Sequence, residues 1–205
     1  STLMRSSAAS DVYKRQVLIC GPTGSGKSTT LYATLRLLNE TTRNILTIED
    51  PVEYTLEGVN QVQLREDIGL TFSAALRTFL RQDPDIVMLG EIRDADTAQM
   101  AIRSALTGHL IFSTIHTNSA WGCVSRLTDM GVHPYLLADT LVLCVAQRLV
   151  RLLCPHCKVP RDDRHGFRAV GCEACYDTGY AGRKAIYEVL PVDDRLASAI
   201  RRTEE

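Results

Sequence analysis

An eight-residue run, Gly21-Pro22-Thr23-Gly24-Ser25-Gly26-Lys27-Ser28, constrains this chain more than any other feature. It matches G-x-x-x-x-G-K-[ST], and it stands between an apolar run, Val17 to Cys20, and a segment with helix-compatible spacing from Lys27 to about Asn39. Strand, glycine loop and helix in that order form a phosphate cradle. Glycines at 21, 24 and 26 let the backbone curl until its N–H groups converge on phosphate oxygens, and the helix N-terminus adds partial positive charge. Lys27 is placed to reach the β- and γ-phosphates, and the Ser28 hydroxyl to ligate Mg²⁺. With Thr29, residues 21–29 are the expected binding segment for ATP and Mg²⁺. A glycine-rich turn without a ligand is the alternative, and the flanking strand and helix argue against it.

The 205 residues carry 23 Lys and Arg against 24 Asp and Glu, a formal net charge of -1, with 45% hydrophobic and 23% charged residues. That composition supports a real apolar core and excludes disorder and collagen-like repeats. No uncharged apolar run approaches the ~18 residues that span a bilayer. No charged n-region leads into an apolar h-region either, so the cytosol is the expected compartment.

Residues 1–16 are read as foreign to the fold. Asp11 to Gln16 is what the transposase adapter GATGTGTATAAGAGACAG yields when translated in frame, which points to an adapter-derived segment; a disordered terminus is the alternative. The interpretable protein is then expected to start at Val17.

Apolar runs at Val17–Cys20, Ile45–Ile48, Ile86–Leu89 and Leu110–Ser113 read as strands, and the imperfect alternation from Val59 to Leu64 as an edge strand. Between them, Phe72, Ala75, Leu76, Phe79 and Leu80 recur at helical spacing until Asp83-Pro84, and Asp94 caps a helix ending at Leu106. Strands alternating with helices predict a mostly parallel, three-layer α/β sheet. Composition shifts near Ala146: residues 17–145 carry 9 Lys and Arg against 14 Asp and Glu, whereas 146–205 carry 11 against 9. The expected division is a core over 17–145 and a small metal-stapled subdomain over 146–205.

A nucleotide hydrolase also needs carboxylates. The strand Ile86–Leu89 lacks the usual terminal Asp and instead precedes Gly90-Glu91, so Glu91 is expected to hold Mg²⁺ through water or to orient the attacking water. Glu49-Asp50 ends the preceding apolar run, where parallel sheets place their ligands. Glu49 is the first choice for a general base; Asp50, just before Pro51, is either a site residue or a turn residue. His109 and His116 bracket the strand that follows and are placed either to sense the γ-phosphate or to sit as satisfied structural imidazoles.

Cys154-Pro-His-Cys157 and Cys172-Glu-Ala-Cys175, fourteen residues apart, have the spacing of a four-thiolate Zn²⁺ site. Redox chemistry is the weaker alternative without a thioredoxin pattern. Cys20, Cys123 and Cys144 lie in apolar contexts and are expected core thiols. Arg148, Arg151, Lys158, Arg161, Arg164 and Arg168 form a basic stretch offset by Asp162 and Asp163. It is either a solvated face or a contact for an acidic partner or anionic lipid headgroups.

Four motifs in order now resemble one family. The glycine loop, Thr47-Ile-Glu-Asp-Pro-Val-Glu-Tyr54, the segment from Leu80 to Asp94 containing Gly90-Glu91-Ile-Arg-Asp94, and Thr107-Gly-His-Leu-Ile-Phe-Ser-Thr-Ile-His-Thr-Asn118 look like the Walker A, Asp box, atypical Walker B and His box of the GspE/PilB secretion ATPases. The resemblance runs from Val17 to about Leu190, and only Ser119-Ala120-Trp121 departs from the residues expected there. It implies a RecA-like P-loop core, a homo-hexameric ring and ATP hydrolysis. The implied motor powers pseudopilus or type IV pilus assembly for protein secretion, pilus biogenesis or DNA uptake. It implies Glu49 and Glu91 as catalytic carboxylates and His109 and His116 as His-box residues. Its implied partners are an inner-membrane platform and cytoplasmic adaptors at the inner face of the bacterial membrane. The tetracysteine element is similar to that of assembly ATPases and is lacking in retraction ATPases. Two other classes remain: a DNA-processing motor, for which the acidic core offers no phosphate-binding footprint, and a scaffold that binds ATP without turnover.

Overall fold

Side chains along β1 (Gln16–Cys20) alternate between two apolar environments, Leu18 and Cys20 facing one and Ile19 the other. A short strand buried on both faces belongs inside a sheet covered on both sides. The computed structural model, which describes residues 15–162 and 165–202, places it there. After β1 come α1 (Lys27–Leu38), β2 (Ile45–Glu49), β3 (Asn60–Gln63), α2 (Phe72–Phe79), β4 (Ile86–Leu89), α3 (Ala95–Leu106) and β5 (Leu110–Ile115). Then follow α4 (Gly122–Asp129), α5 (Pro134–Thr140), β6 (Leu141–Leu153), the short pair β7 (Val159–Pro160) and β8 (Phe167–Arg168), β9 (Tyr180–Pro191) and α6 (Asp194–Arg201).

The main sheet has seven strands in the order β3-β2-β4-β5-β1-β6-β9. Neighbours from β3 through β6 pair parallel, and β9 returns antiparallel to β6, so the expected mostly parallel α/β fold is the one observed. One face is covered by α1, whose Leu31, Tyr32 and Leu35 pack on Ile19, Ile45, Met88 and Phe112. The other helices cover the opposite face through Leu76, Ala98, Ile102, Leu127, Leu137 and Ile200. Each fully buried aliphatic side chain of this kind stabilises the fold by roughly 1.5–3 kcal/mol. Cys20, Cys123 and Cys144 are all buried in the core, as expected.

Helix ends follow local chemistry. The Thr71 hydroxyl accepts from the Ala74 N–H, and the Asp94 carboxylate accepts from the Thr97 N–H at 2.8 Å, each satisfying an otherwise orphan donor. The helix expected to run to Gln82 is α-helical only to Phe79; Leu80–Gln82 tightens into a 3₁₀ turn, and Asp83 at φ +50° with Pro84 behind it prevents continuation.

Two expected boundaries move. The division after residue 145 falls inside β6, whose Leu143 to Ala146 pair with Val17 to Cys20 of β1 on one edge while Leu143 to Leu153 pair with β9 on the other. Because β9 and α6 complete the same sheet and core, only the segment between Cys154 and Gly179 stands apart as a zinc-type element. The charge shift near Ala146 reflects exposed residues of the β6–β9 hairpin and carries no information about a second core. At the other end, the fold starts before Val17. The Arg15 N–H donates to the Thr140 carbonyl, the Ile111 N–H donates to the Arg15 carbonyl, and Gln16 is a buried member of β1. Backbone pairing needs only extension, so any residue but proline can occupy these positions; burial of Gln16 costs stability, because its Oε1 has no partner among the described residues. The rest of the suspected adapter stretch lies outside the described residues.

Candidate nucleotide site and metal centre

The loop from Gly21 to Gly26 joins the C-terminal end of β1 to α1, where a parallel sheet opens to ligands. Gly24 and Gly26 hold φ of +77° and +85°, left-handed conformations in which glycine avoids a steric penalty. Gly26 is the N-cap of α1 and has no side chain to cap it, so the first-turn N–H groups are left for an anion. A cavity of about 680 Å³ is lined by Thr23 through Thr29 together with Glu49, Glu91 and His116. Lys27 reaches back over the loop and donates to the carbonyls of Gly21 at 2.9 Å and Pro22 at 3.1 Å. Burial lowers its pKa, an effect that the nearby Glu91 charge partly offsets. Open space at Gly24, uncapped donors and a converging ammonium fit a polyphosphate, and the Ser28 hydroxyl on the cavity wall fits Mg²⁺.

Glu49 and Glu91 both line this cavity in different settings. Glu49 is 3% exposed and accepts from the Tyr32 hydroxyl, from Thr47 Oγ1 at 2.5 Å and from Gln61 Nε2 at 3.1 Å. Desolvation and the Glu49 hydrogen bond push the Tyr32 phenol up to about 12, so it remains a donor. Three of about four carboxylate acceptor positions on Glu49 are therefore taken. The Glu91 side chain is 19% exposed; one oxygen lies 2.9 Å from His116 Nε2 and the other 2.7 Å from Arg93 Nε. Arg93 also reaches Asp50 Oδ2 at 3.2 Å, which gives Asp50 a site contact in addition to its place in a turn.

The chain brings His116 to the cavity but not His109. His109 stands at the opposite end of β5, about 20 Å along a six-residue strand, where its ring meets the Ser104 carbonyl and Thr107 Oγ1. The extended length of β5 separates the two histidines and its direction puts His116 at the cavity end, so the expected catalytic placement of His109 is not met within this chain. Sequence reasoning did not find Tyr32, Thr47 and Gln61 around Glu49. Each is an ordinary helix or strand residue until the fold turns it toward the carboxylate.

Cys154, Cys157, Cys172 and Cys175 place four sulfurs within 4.8 Å of one another. The Cys154–Cys172, Cys157–Cys175 and Cys172–Cys175 sulfur separations of 3.9, 3.8 and 3.7 Å compare with the roughly 3.8 Å that a tetrahedral ion with Zn–S bonds of about 2.3 Å imposes. The two thiols of the second pair are pushed apart: at Cys175 desolvation is outweighed by N–H donation from Cys172 and Gly179, which brings the thiol down to about 6, whereas desolvation pushes the Cys172 thiol up to about 11. The surrounding basic stretch is partly engaged, with Arg151 over the Tyr180 ring at 3.8 Å and Lys158 over Phe167 at 4.8 Å. Asp163 and Arg164 lie outside the described residues.

A doubly covered parallel sheet with a glycine loop, lysine and strand-end carboxylates in one cavity defines the P-loop class of nucleotide-binding proteins. The family model for Type II/IV secretion system protein matches residues 6–205, and the chain belongs to that family. It is 56% identical over 186 residues to the type II secretion system protein HxcR of Pseudomonas aeruginosa, covering 91% of this chain and 39% of that protein. It is 53% identical over 202 residues to the type IV pilus assembly ATPase PilB of Myxococcus xanthus, covering 90% and 36%. The chain thus spans about two fifths of the length of these relatives. Among solved structures, the pilus retraction motor PilT with bound ADP aligns with a TM-score of 0.74 at 32% identity, covering 96% of this chain and 54% of that one. The ATPase DotB of Legionella pneumophila aligns with a TM-score of 0.69 at 29% identity, covering 96% and 50%.

Proposed function

We propose that this chain is the nucleotide-hydrolysing part of a hexameric motor that powers pseudopilus or type IV pilus assembly. The observation that carries the reading is the convergence of Lys27, the uncapped start of α1 and Glu91 on one cavity. In the proposed reaction, loop N–H groups and Lys27 hold the β- and γ-phosphates, and Ser28 supplies a hydroxyl toward Mg²⁺. Mg²⁺, when bound, offsets the phosphate charge. Glu91 orients the attacking water, Glu49 offers its remaining acceptor position to the proton, and His116 ties Glu91 to the end of β5. The four thiolates hold Zn²⁺, which staples the distal end of the β6–β9 hairpin.

The tetracysteine cluster supports the assembly branch over retraction, and the name of PilB agrees with that direction. Among the described residues no helix is long and apolar enough to cross a membrane. A peripheral position at the inner face of the cytoplasmic membrane is therefore proposed from the relatives. There a platform protein, an adaptor and anionic headgroups near Lys158, Arg161 and Arg168 are the expected contacts.

Nucleotide affinity and phosphate release, measured on the parent chain and on two variants, test the reading. Lys27→Ala is expected to lose ATP binding, whereas Glu91→Gln is expected to keep binding and lose about 10²-fold or more of turnover. A parent chain that binds no MgATP would overturn the nucleotide assignment, and a DNA-stimulated rate would move it to nucleic-acid motors.

A further inference from the structure

We infer that Gln147 is a positioning residue of the nucleotide site, its carboxamide clamping the Ser25–Gly26 peptide so that the Gly26 N–H faces the phosphate cavity. The inference rests on the nucleotide reading above. Gln147 lies on β6, 122 residues from the loop it holds, and is 2% exposed. Its Nε2 donates to the Ser25 carbonyl at 2.7 Å, and its Oε1 accepts from Thr30 Oγ1 at 2.7 Å. The neighbours two positions away on the same face of β6, Val145 and Leu149, are apolar. A carboxamide in such surroundings costs stability unless both its groups are paired, and here both are spent on the loop and on the first turn of α1.

A trans peptide is planar, with its C=O and N–H pointing in opposite directions. Fixing the Ser25 carbonyl toward β6 therefore directs the Gly26 N–H away from β6, to the side where Gly26 lines the cavity. The clamp matters because Gly26, at φ +85°, has no Cβ to resist rotation of this peptide. A flipped peptide would present a carbonyl oxygen to phosphate in place of a donor. Ser25 cannot supply the restraint itself, since its buried Oγ has no partner among the described residues. The close approach of β6 also shapes the loop's start, where a Cβ on Gly21 would stand 2.3 Å from the Gln147 carbonyl oxygen. Affinity falls in proportion to the competent fraction of the loop, so releasing the clamp should weaken phosphate binding without touching any ligand-contacting atom.

The test uses the 205-residue chain with MgADP and inorganic pyrophosphate as probes, followed by calorimetry and by the Gly26 amide resonance. Gln147→Met keeps length but removes both hydrogen bonds, and Thr30→Ala frees one arm at a helix position that tolerates alanine. Gln147→Met should weaken both probes by a common factor of about three to ten and shift the Gly26 amide signal, with Thr30→Ala weaker by a smaller factor. Zinc content and unliganded melting temperature serve as fold controls. Affinities within twofold of the parent and an unmoved Gly26 signal would reduce Gln147 to a core amide and overturn the inference. If Gln147→Met does not fold, Thr30→Ala decides by the same criteria. A parent chain that binds neither probe defeats the nucleotide reading instead, which separates the two failures.

Discussion

Glu49 and Glu91 stand near the ends of adjacent strands, yet their surroundings assign them different liabilities. Glu49 is buried under donors from Tyr32, Thr47 and Gln61, so its charge is part of the packing. In Glu49→Gln an amide N–H would confront one of those donors. The expected cost is about 1–3 kcal/mol, from loss of charge-assisted bonds and a mismatched buried group. Glu91→Gln, whose partners Arg93 and His116 are both exposed to solvent, should change stability by no more than ~0.5 kcal/mol while losing turnover. Thermal unfolding of the two variants checks this, each kcal/mol appearing as about 2–4 °C in a chain of this size. Equal stability losses would show that the burial contrast has no energetic consequence. Arg93 binds both Glu91 and Asp50, so its guanidinium is held within the same site.

At the scale of elements, the β6–β9 hairpin links two functions. One stretch of β6 lies against the glycine loop, and its end delivers Cys154 to the thiolate cluster. One equivalent of Zn²⁺ is expected to copurify with protein kept reduced, and Cys154→Ser should release it. Because β6 is also held by β1, the damage should stay local: hydrogen exchange and proteolytic cleavage should rise between residues 154 and 179 while amides of β1 and β5 keep their protection. Metal analysis showing no zinc would remove the metal assignment. Uniform loss of protection would instead show that the zinc element is needed by the whole sheet.

For the whole molecule, turnover depends on positive charge at the γ-phosphate, which nucleotide hydrolases of this class supplement with an arginine. Lys27 lies in the cavity and Arg93 is paired, whereas Arg77 and Arg103 are exposed on helices covering the other face of the sheet and Arg81 on the 3₁₀ turn that follows α2. An arginine finger is worth about 10³-fold or more in turnover. The 205-residue chain is therefore expected to bind ATP but release phosphate about 10³-fold more slowly than the full-length type IV pilus assembly ATPase PilB of Myxococcus xanthus at matched subunit concentration. Comparable specific rates would place the cation within this chain, with Arg77, Arg81 and Arg103 the next residues to substitute.

Much of this was legible without coordinates because it rests on short-range chemistry. The strand, glycine loop and helix from Val17 to Asn39 need particular φ values and a particular charge, and the C-x-x-C pairs need thiolates at fixed spacing. The alternating strands needed only local periodicity to announce an α/β sheet. What the sequence alone could not decide depends on which distant segments meet. The direction of β5 decides which of the two histidines that bracket it reaches the cavity, and the pairing of β6 with both β1 and β9 runs across the domain boundary that a charge shift had suggested. Likewise Tyr32 becomes a donor to Glu49, and Gln147 a clamp on Ser25, only because packing closes separations of 17 and 122 residues. Local periodicity carries no record of such contacts, since burial and hydrogen-bond pairing are properties of the assembled sheet.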